Sequence, residues 1–509
     1  MARLHLTLRS DSAVAPFLQA AVLGVAHALA FAPWNLWWLQ LLSLAGLLAL
    51  AMRAPRARNA FALGFAFGLG WFGVGISWIY ISLHVYGQMW AWLAALATAF
   101  LAAFIALYPA LALGLAHRFV PSPNVRLLIA IPAAWTGSEW LRGVLFTGFP
   151  WLGTGYAHSD GPLAGYAPLV GVFGITLIAA ILAAALVAAI RFRHSQRAAT
   201  CGALLIAALL LGGLQLAGVT WTQPFGSPLR VRLVQGNIPQ DEKFGPQSVD
   251  VAHQVYFGLL SRPGDVQLAA MPESVYPLPF GYLPRNVTHD LIEFINNRNA
   301  ALVFGIFIEE PVERFYNSAL GVAPDRPDVQ RYSKRHLVPF GEFIPFGFRW
   351  FVDLMKMPIG DQERGPRYQP PLDLAGQRVA VNICYEDLFG AEIIDAWHDP
   401  QRAPTLLLNL SNLAWFDDSN ALPQHLQISR LRALETGRPM LRATNTGATA
   451  IIGPRGEVMQ VLPFNTAGVL DGDVQGYSGE TPYVRYGNLP VLATLVVLLL
   501  AALWFGRRA

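Results

Sequence analysis

Charge is what this chain is short of. Only 13% of its 509 residues are Asp, Glu, Lys or Arg, while 54% are apolar; an ordinary soluble domain carries about 25% charged residues. Mean hydropathy is +0.40. The shortage is concentrated at 1–220 and 488–506, and the stretch between has near-normal charge over enough residues for one large globular domain. That pattern excludes a wholly soluble protein. Cysteine is scarce too: Cys201 lies in an apolar run and Cys384 in the charged stretch, which excludes a disulfide framework. Lysine is rarer than the basic balance suggests, with only Lys243, Lys334 and Lys356 among 36 basic residues. A bias toward arginine explains the scarcity but not why these three escape it. The eleven histidines show no paired metal spacing, and no Gly-Lys-Ser/Thr phosphate loop occurs, so neither metal nor cofactor is expected. The pI of 9.1 comes without a basic stripe interleaved with aromatics, so nucleic acid is not an expected partner.

What is present is apolar sequence in long runs. Eight of them, near 12–31, 36–52, 60–83, 88–116, 125–141, 162–190, 199–219 and 488–506, read as spans of about 30 Å of hydrocarbon. The fifth is interrupted by Pro132, Glu139 and Arg142. The first resembles a signal peptide in its basic start and Ala28-Leu-Ala30, and is kept as a membrane helix. The expected organisation is a seven-helix transmembrane domain at 1–219, a globular domain at 220–487, and an eighth helix with the C-terminus at 488–509. Arginines set the orientation. Arg3, Arg9, Arg53, Arg56, Arg58, Arg118, Arg126, Arg191, Arg193, Arg197, Arg507 and Arg508 fall on one side, and the opposite short loops hold little beyond Arg142. Both termini are therefore expected in the cytoplasm and the domain at 220–487 outside. Gly68-Leu-Gly-Trp-Phe-Gly73 matches a dinucleotide fingerprint in letters alone; inside a membrane run it reads, with Gly64 and Gly75, as helix packing. Spans nearly free of charge argue against a transporter.

The charged stretch alternates short apolar strands with helical runs, an α/β pattern. Three of its strand-like runs stop at a lone ionisable residue: Asp265 to Glu273, Val329 to Lys334, and Arg378 to Cys384 with Asp387 close behind. Each has a plain reading, as a loop carboxylate, a solvated strand end and an inert buried thiol. Together, a base, a cation and a thiol point to covalent acyl transfer. At a strand-to-helix turn, helix N-terminal amides are expected to favour a thiolate and later hold an oxyanion. Between Lys334 and Cys384, the apolar segment 346–360 is flanked by glycines. It reads as a lid with Trp350, Phe351, Leu354 and Met355 dipping among lipids.

Pro272-Glu273, Tyr332-Ser-Lys-Arg-His-Leu-Val-Pro-Phe-Gly-Glu342 and Asn382-Ile-Cys-Tyr-Glu-Asp387 resemble the three signature blocks of the nitrilase superfamily. With eight spans around them, they resemble its membrane-bound branch, the bacterial apolipoprotein N-acyltransferases. The resemblance implies a polytopic α-helical membrane domain joined to a nitrilase-like αββα sandwich. It implies a Glu273-Lys334-Cys384 triad, with the Tyr385 amide at the oxyanion, Glu342 positioning the lysine and Glu386 at the helix start. Asn317 and Trp415 would line the pocket. The implied reaction moves an acyl chain from a phospholipid, through a Cys384 thioester, to the N-terminal amine of a diacylglyceryl-modified apolipoprotein. It implies an enzyme of the bacterial inner membrane, acting as a monomer. A membrane-tethered amidase or nitrilase-type hydrolase, with water in place of the amine, is the alternative.

Overall fold

The computed structural model describes residues 14–241, 243, 247–347, 349 and 361–508. The N-terminal part is helical: α1 (Ala15–Ala28), α2 (Trp37–Ala51), α3 (Ala57–Gly75), α4 (Ala91–Phe119), α5 (Ile131–Arg142), α6 (Ala167–Arg191) and α7 (Gln196–Leu216). Among the described residues, four helical stretches are long and apolar enough to cross a membrane: α4, Pro162–Arg191, α7 and Leu489–Arg508. A fifth would be α3 with Ile79–Tyr86, a pair bent by 60°. Eight full-length spans are thus not what the helices themselves provide. The 14 residues of α1 and 15 of α2 reach only about 21 to 23 Å at a rise of about 1.5 Å per residue. The run near 125–141 is split into a π-helical turn, Arg126–Ala130, and α5, because Pro132 has no N–H for the carbonyl one turn earlier. Glycine packing is as expected on the α3 face toward α4. A Cβ on Gly64 would stand 2.6 Å from the Pro109 carbonyl oxygen, and one on Gly68 would stand 2.7 Å from Ala106; Gly73 faces open space instead.

The charged stretch folds as two stacked sheets. The first holds β1 (Gln223–Gln235), β2 (Leu268–Ala270), β3 (Ala301–Glu309), β4 (Phe315–Val322) and β5 (Gln330–Ser333). Along β1 runs β12 (Gly468–Ser478), giving the order β12-β1-β2-β3-β4-β5. The second sheet orders β11 (Val458–Val461), β10 (Ala450–Ile452), β9 (Met440–Thr444), β8 (Leu406–Ser411), β7 (Gln377–Ile383) and β6 (Leu372–Leu374). Val231, Leu233 and Val303 of one sheet meet Val381, Leu408 and Leu441 of the other in a buried layer. Outside the first sheet pack α8 (Ser248–Leu260) and α9 (Arg285–Arg298), through Leu260, Leu291 and Phe294. Outside the second lies α10 (Ala421–Thr436), with Ala433 against Leu407 and Met440. The result is the expected αββα sandwich, and α11 (Leu489–Arg508) closes the chain.

α10 faces two ways. Its Leu422, Ile428 and Leu431 belong to the same apolar core as Phe67, Trp71 and Trp135 of the membrane helices. Polar contacts lock that seam. The Gln424 side-chain oxygen accepts from the indoles of Trp78 (3.1 Å) and Trp151 (2.8 Å), and its amide donates to the Gly75 carbonyl (3.2 Å). Gln427 accepts from the Ala32 N–H at 3.1 Å. α6 breaks at Gly171 (φ 61°), and Glu435 accepts the Val172 N–H there at 2.8 Å.

Candidate active site

Glu273, Lys334 and Cys384 come from three strand ends and meet. β2 is followed by Met271-Pro272 and then Glu273; β5 ends one residue before Lys334; β7 ends at Ile383. Lys334 is fully buried. Its Nζ donates to Glu342 Oε1 at 2.7 Å and to Glu273 Oε1 at 3.3 Å. Stranding such an ammonium by removing its partners would cost about 3–5 kcal/mol. Burial works to strip the Lys334 proton, but the Glu273 and Glu342 carboxylates outweigh it and hold the ammonium above its ordinary range. Lys243 is also buried and lies in the field of Glu273. Burial pushes it down to about 8 against that carboxylate.

Asn317 sits between the two acids rather than only lining a pocket. Its Nδ2 donates to Glu273 Oε1 (2.7 Å) and Glu342 Oε1 (3.2 Å), and its carbonyl accepts the Lys334 N–H (2.7 Å). Glu342 also accepts from the Val338 N–H at 2.8 Å. The other Glu273 oxygen accepts the Asn412 N–H at 2.9 Å. Residue identity gave no hint of that last contact, since a main-chain amide makes it. Glu386 ties two site loops together. It accepts from the N–H of Ile383 (2.7 Å), Arg335 (2.7 Å) and His336 (3.1 Å), and from the Tyr332 hydroxyl. Trp415 takes no part in these bonds: it is partly exposed and its ring faces Tyr86. Trp350, Phe351, Leu354 and Met355 lie outside the described residues.

Cys384 adopts φ 53° at the first position of a one-turn 3₁₀ helix, Cys384–Leu388. The pull of the turn toward a thiolate is outweighed by its surroundings. Burial, with Glu273 next, pushes the thiol well above its ordinary range despite Lys334. A single 3₁₀ turn has too few aligned peptides to offset that burial. What stands here is a protonated thiol beside a carboxylate and an ammonium. Such a set can take a proton from sulfur as it attacks a carbonyl and hold the negative oxygen that forms. Cys384 packs against both the inter-sheet layer and the apolar core continuous with the membrane helices.

An αββα sandwich with carboxylate, ammonium and thiol at its strand ends defines a carbon–nitrogen hydrolase-type acyl-transfer protein, and the carbon-nitrogen hydrolase family model matches residues 230–483. The model of the apolipoprotein N-acyltransferase N-terminal domain matches residues 23–185. An apolipoprotein N-acyltransferase of Ralstonia nicotianae is 52% identical over 96% of this chain and 93% of its own length. One of Chromobacterium violaceum is 45% identical over 96% and 94%. The chain belongs to the apolipoprotein N-acyltransferase family. Among solved structures, a mutant amidase of the nitrilase superfamily from Nesterenkonia is similar at 21% identity and TM-score 0.37, covering 53% of this chain and 98% of that one.

Proposed function

We propose that this protein transfers an acyl chain from a membrane phospholipid to the α-amine of the diacylglyceryl-modified N-terminal cysteine of apolipoproteins. The observation that carries this reading is the seat of Cys384, packed where the sandwich core meets the apolar core of the membrane helices. Donor and acceptor both partition into a bilayer at about 0.8 kcal/mol per buried methylene. A nucleophile at that seam meets the ester without extracting the lipid.

In this reading the Cys384 sulfur attacks the donor ester carbonyl and its proton passes to Glu273. The Lys334 ammonium and the Tyr385 N–H hold the oxyanion. Collapse expels the lysophospholipid alkoxide, which takes the proton from Glu273 and leaves a thioester. The acceptor amine then attacks the thioester and gives a proton to Glu273, which returns it to the departing sulfur. Glu342 and Asn317 orient Lys334 and Glu273, and Glu386 holds the turn that carries Cys384. The sandwich, within 220–487, works on the outer face of the inner membrane as a monomer, with both termini cytoplasmic. Eight spans follow when α1, α2 and the stretch Arg126–Arg142 are added to α4, α6, α7, α11 and α3 with its bent continuation.

The test is the mass of the purified protein after mixing with phospholipid alone. One acyl chain, released by hydroxylamine, is expected in the wild type and in Cys201→Ser, and none in Cys384→Ser. Equal labelling of the two variants would refute the assignment. Turnover of small amides in place of acyl transfer would favour a hydrolase.

A further inference from the structure

Behind Cys384 stands a fully buried polar relay that the acyl-transfer steps above do not use. The Cys384 carbonyl oxygen meets His425 Nε2 at 3.1 Å and Asn409 Nδ2 at 3.3 Å. On the other side of the imidazole, Nδ1 lies 2.9 Å from Arg442 Nη2. A guanidinium can only donate, so Nδ1 accepts, the ring proton sits on Nε2, and Nε2 donates to the Cys384 carbonyl. Arg442 is itself held by Asp387 at 2.9 Å, and Ser429 closes the group through hydrogen bonds to both. His425, Arg442, Asp387 and Ser429 are all fully buried. The Trp151 ring, from the loop between α5 and α6, stacks on the imidazole at 5.7 Å and 8°.

Two facts of the backbone give this relay its use. Cys384 is left-handed at φ 53°, a conformation that costs a residue with a Cβ about 1–2 kcal/mol and has to be held from outside. The peptide joining Cys384 to Tyr385 is planar and trans, so its C=O and N–H point in opposite directions. Tyr385, second in a one-turn helix, has no carbonyl a turn behind it to accept its N–H. A carbonyl pinned on one side therefore fixes a free N–H on the other.

We propose that His425, oriented through Arg442 and Asp387, is a positioning residue of the acyl-transfer site: by donating to the Cys384 carbonyl it fixes the direction of the Tyr385 N–H that meets the oxyanion. The inference rests on the acyl-transfer reading above. His425 moves no proton in it. Burial first, and Arg442 next, push the imidazole well below its ordinary range, so the ring stays neutral and the donor stays in place across the working range. Because α10 carries His425 and is clamped to the membrane helices through Gln424 and Gln427, the bundle shares in aligning the nucleophile.

The experiment compares His425→Phe, which keeps a ring against Trp151 and loses the donor, with His425→Gln, which can still donate to the carbonyl and accept from Arg442. Acyl-enzyme formation from phosphatidylethanolamine vesicles is expected to slow by about 100-fold at saturating lipid in the Phe variant, with KM little changed. Alkylation of Cys384 by iodoacetamide, which builds no oxyanion, should stay within about threefold. The carbonyl stretch of a ¹³C-acyl thioester should move to higher frequency in the Phe variant and return in the Gln variant. Should Phe not fold, His425→Asn, polar but too short to reach the carbonyl, carries the same expectation. Wild-type acylation in the Phe or Asn variant would overturn the inference, and so would equal losses of acylation and alkylation. No acyl mass in the wild type would instead remove the acyltransferase reading. The variants are then compared on p-nitrophenyl butyrate, whose ester needs the same amide, and equal rates there would overturn the inference.

Discussion

Cys384 keeps its proton first because it lies in a place with little water, and next because Glu273 faces it, with Lys334 offsetting only part of the rise. Above the ordinary thiol range the sulfur is still protonated, so the thiolate fraction keeps rising with pH where a free cysteine would level off. Alkylation of the wild type should therefore climb about tenfold per pH unit through about pH 8.5 without a plateau. Glu273→Gln removes a negative neighbour and leaves Lys334 facing the sulfur, so its profile should bend at lower pH than the wild type. The same variant has lost its proton acceptor, so acyl transfer should fall by about two orders of magnitude or more. Rates of alkylation and acylation measured on one preparation check both signs. Glu273, Lys334 and Cys384 were legible in the sequence because each ends a strand-like run. The protonation state was not, since it depends on burial and on how Glu273, Lys334 and Glu342 converge from other elements. The Asn412 contact was invisible for a simpler reason: its donor is main chain.

Among the elements, α10 is the one whose sequence says least about its role. Ala-Leu-Pro-Gln-His-Leu-Gln-Ile-Ser-Arg-Leu-Arg-Ala-Leu-Glu-Thr has no clear apolar stripe, a pattern that ordinarily marks an exposed helix. The helix is instead buried on nearly every side, and its Gln424, His425 and Glu435 find partners outside the helix. Periodicity reports a single interface, so a helix with two is read as a helix without showing where it packs, whereas α9, with one apolar face, shows both. Strands such as β1 and β3 were legible because their apolar runs end at glycine or charge, whereas β12 was not, because glycines and aspartates interrupt its apolar residues. The lengths of α1 and α2 were not, because apolar composition continues through turns that the backbone does not keep helical. Gln424→Ala leaves two buried indole N–H groups without an acceptor, at about 1–3 kcal/mol each. It should lower stability by about 2–4 kcal/mol. Gln460→Ala, on exposed β11, should change it by less than about 0.5 kcal/mol. Thermal midpoints in detergent provide the comparison.

At the scale of the molecule, the helical part and the sandwich share one apolar core across α10, so the boundary near 220 that composition suggests is a change of solvent more than a change of body. The orientation proposed above rests on the arginines alone. A reporter fused after Arg508 should read cytoplasmic, and one inserted at the exposed turn around Glu313 should read exported. The opposite result at either site would overturn the span count. The pairing of β1 with β12, from Gln223↔Ser478 to Gln235↔Gly468 with one shift of register between Phe225 and Leu229, governs how the protein is made. β1 is the first strand of the sandwich to leave the ribosome and β12 the last, yet they are neighbours. Until β12 arrives, the outer edge of β1 stays open, a row of unpaired amides and carbonyls beside the membrane. Closing that edge joins the most distant strands of the sandwich, the kind of long-range contact that makes folding slow. The sandwich is therefore completed only as the chain re-enters the bilayer through α11, and during synthesis the open edge is what the cell has to guard.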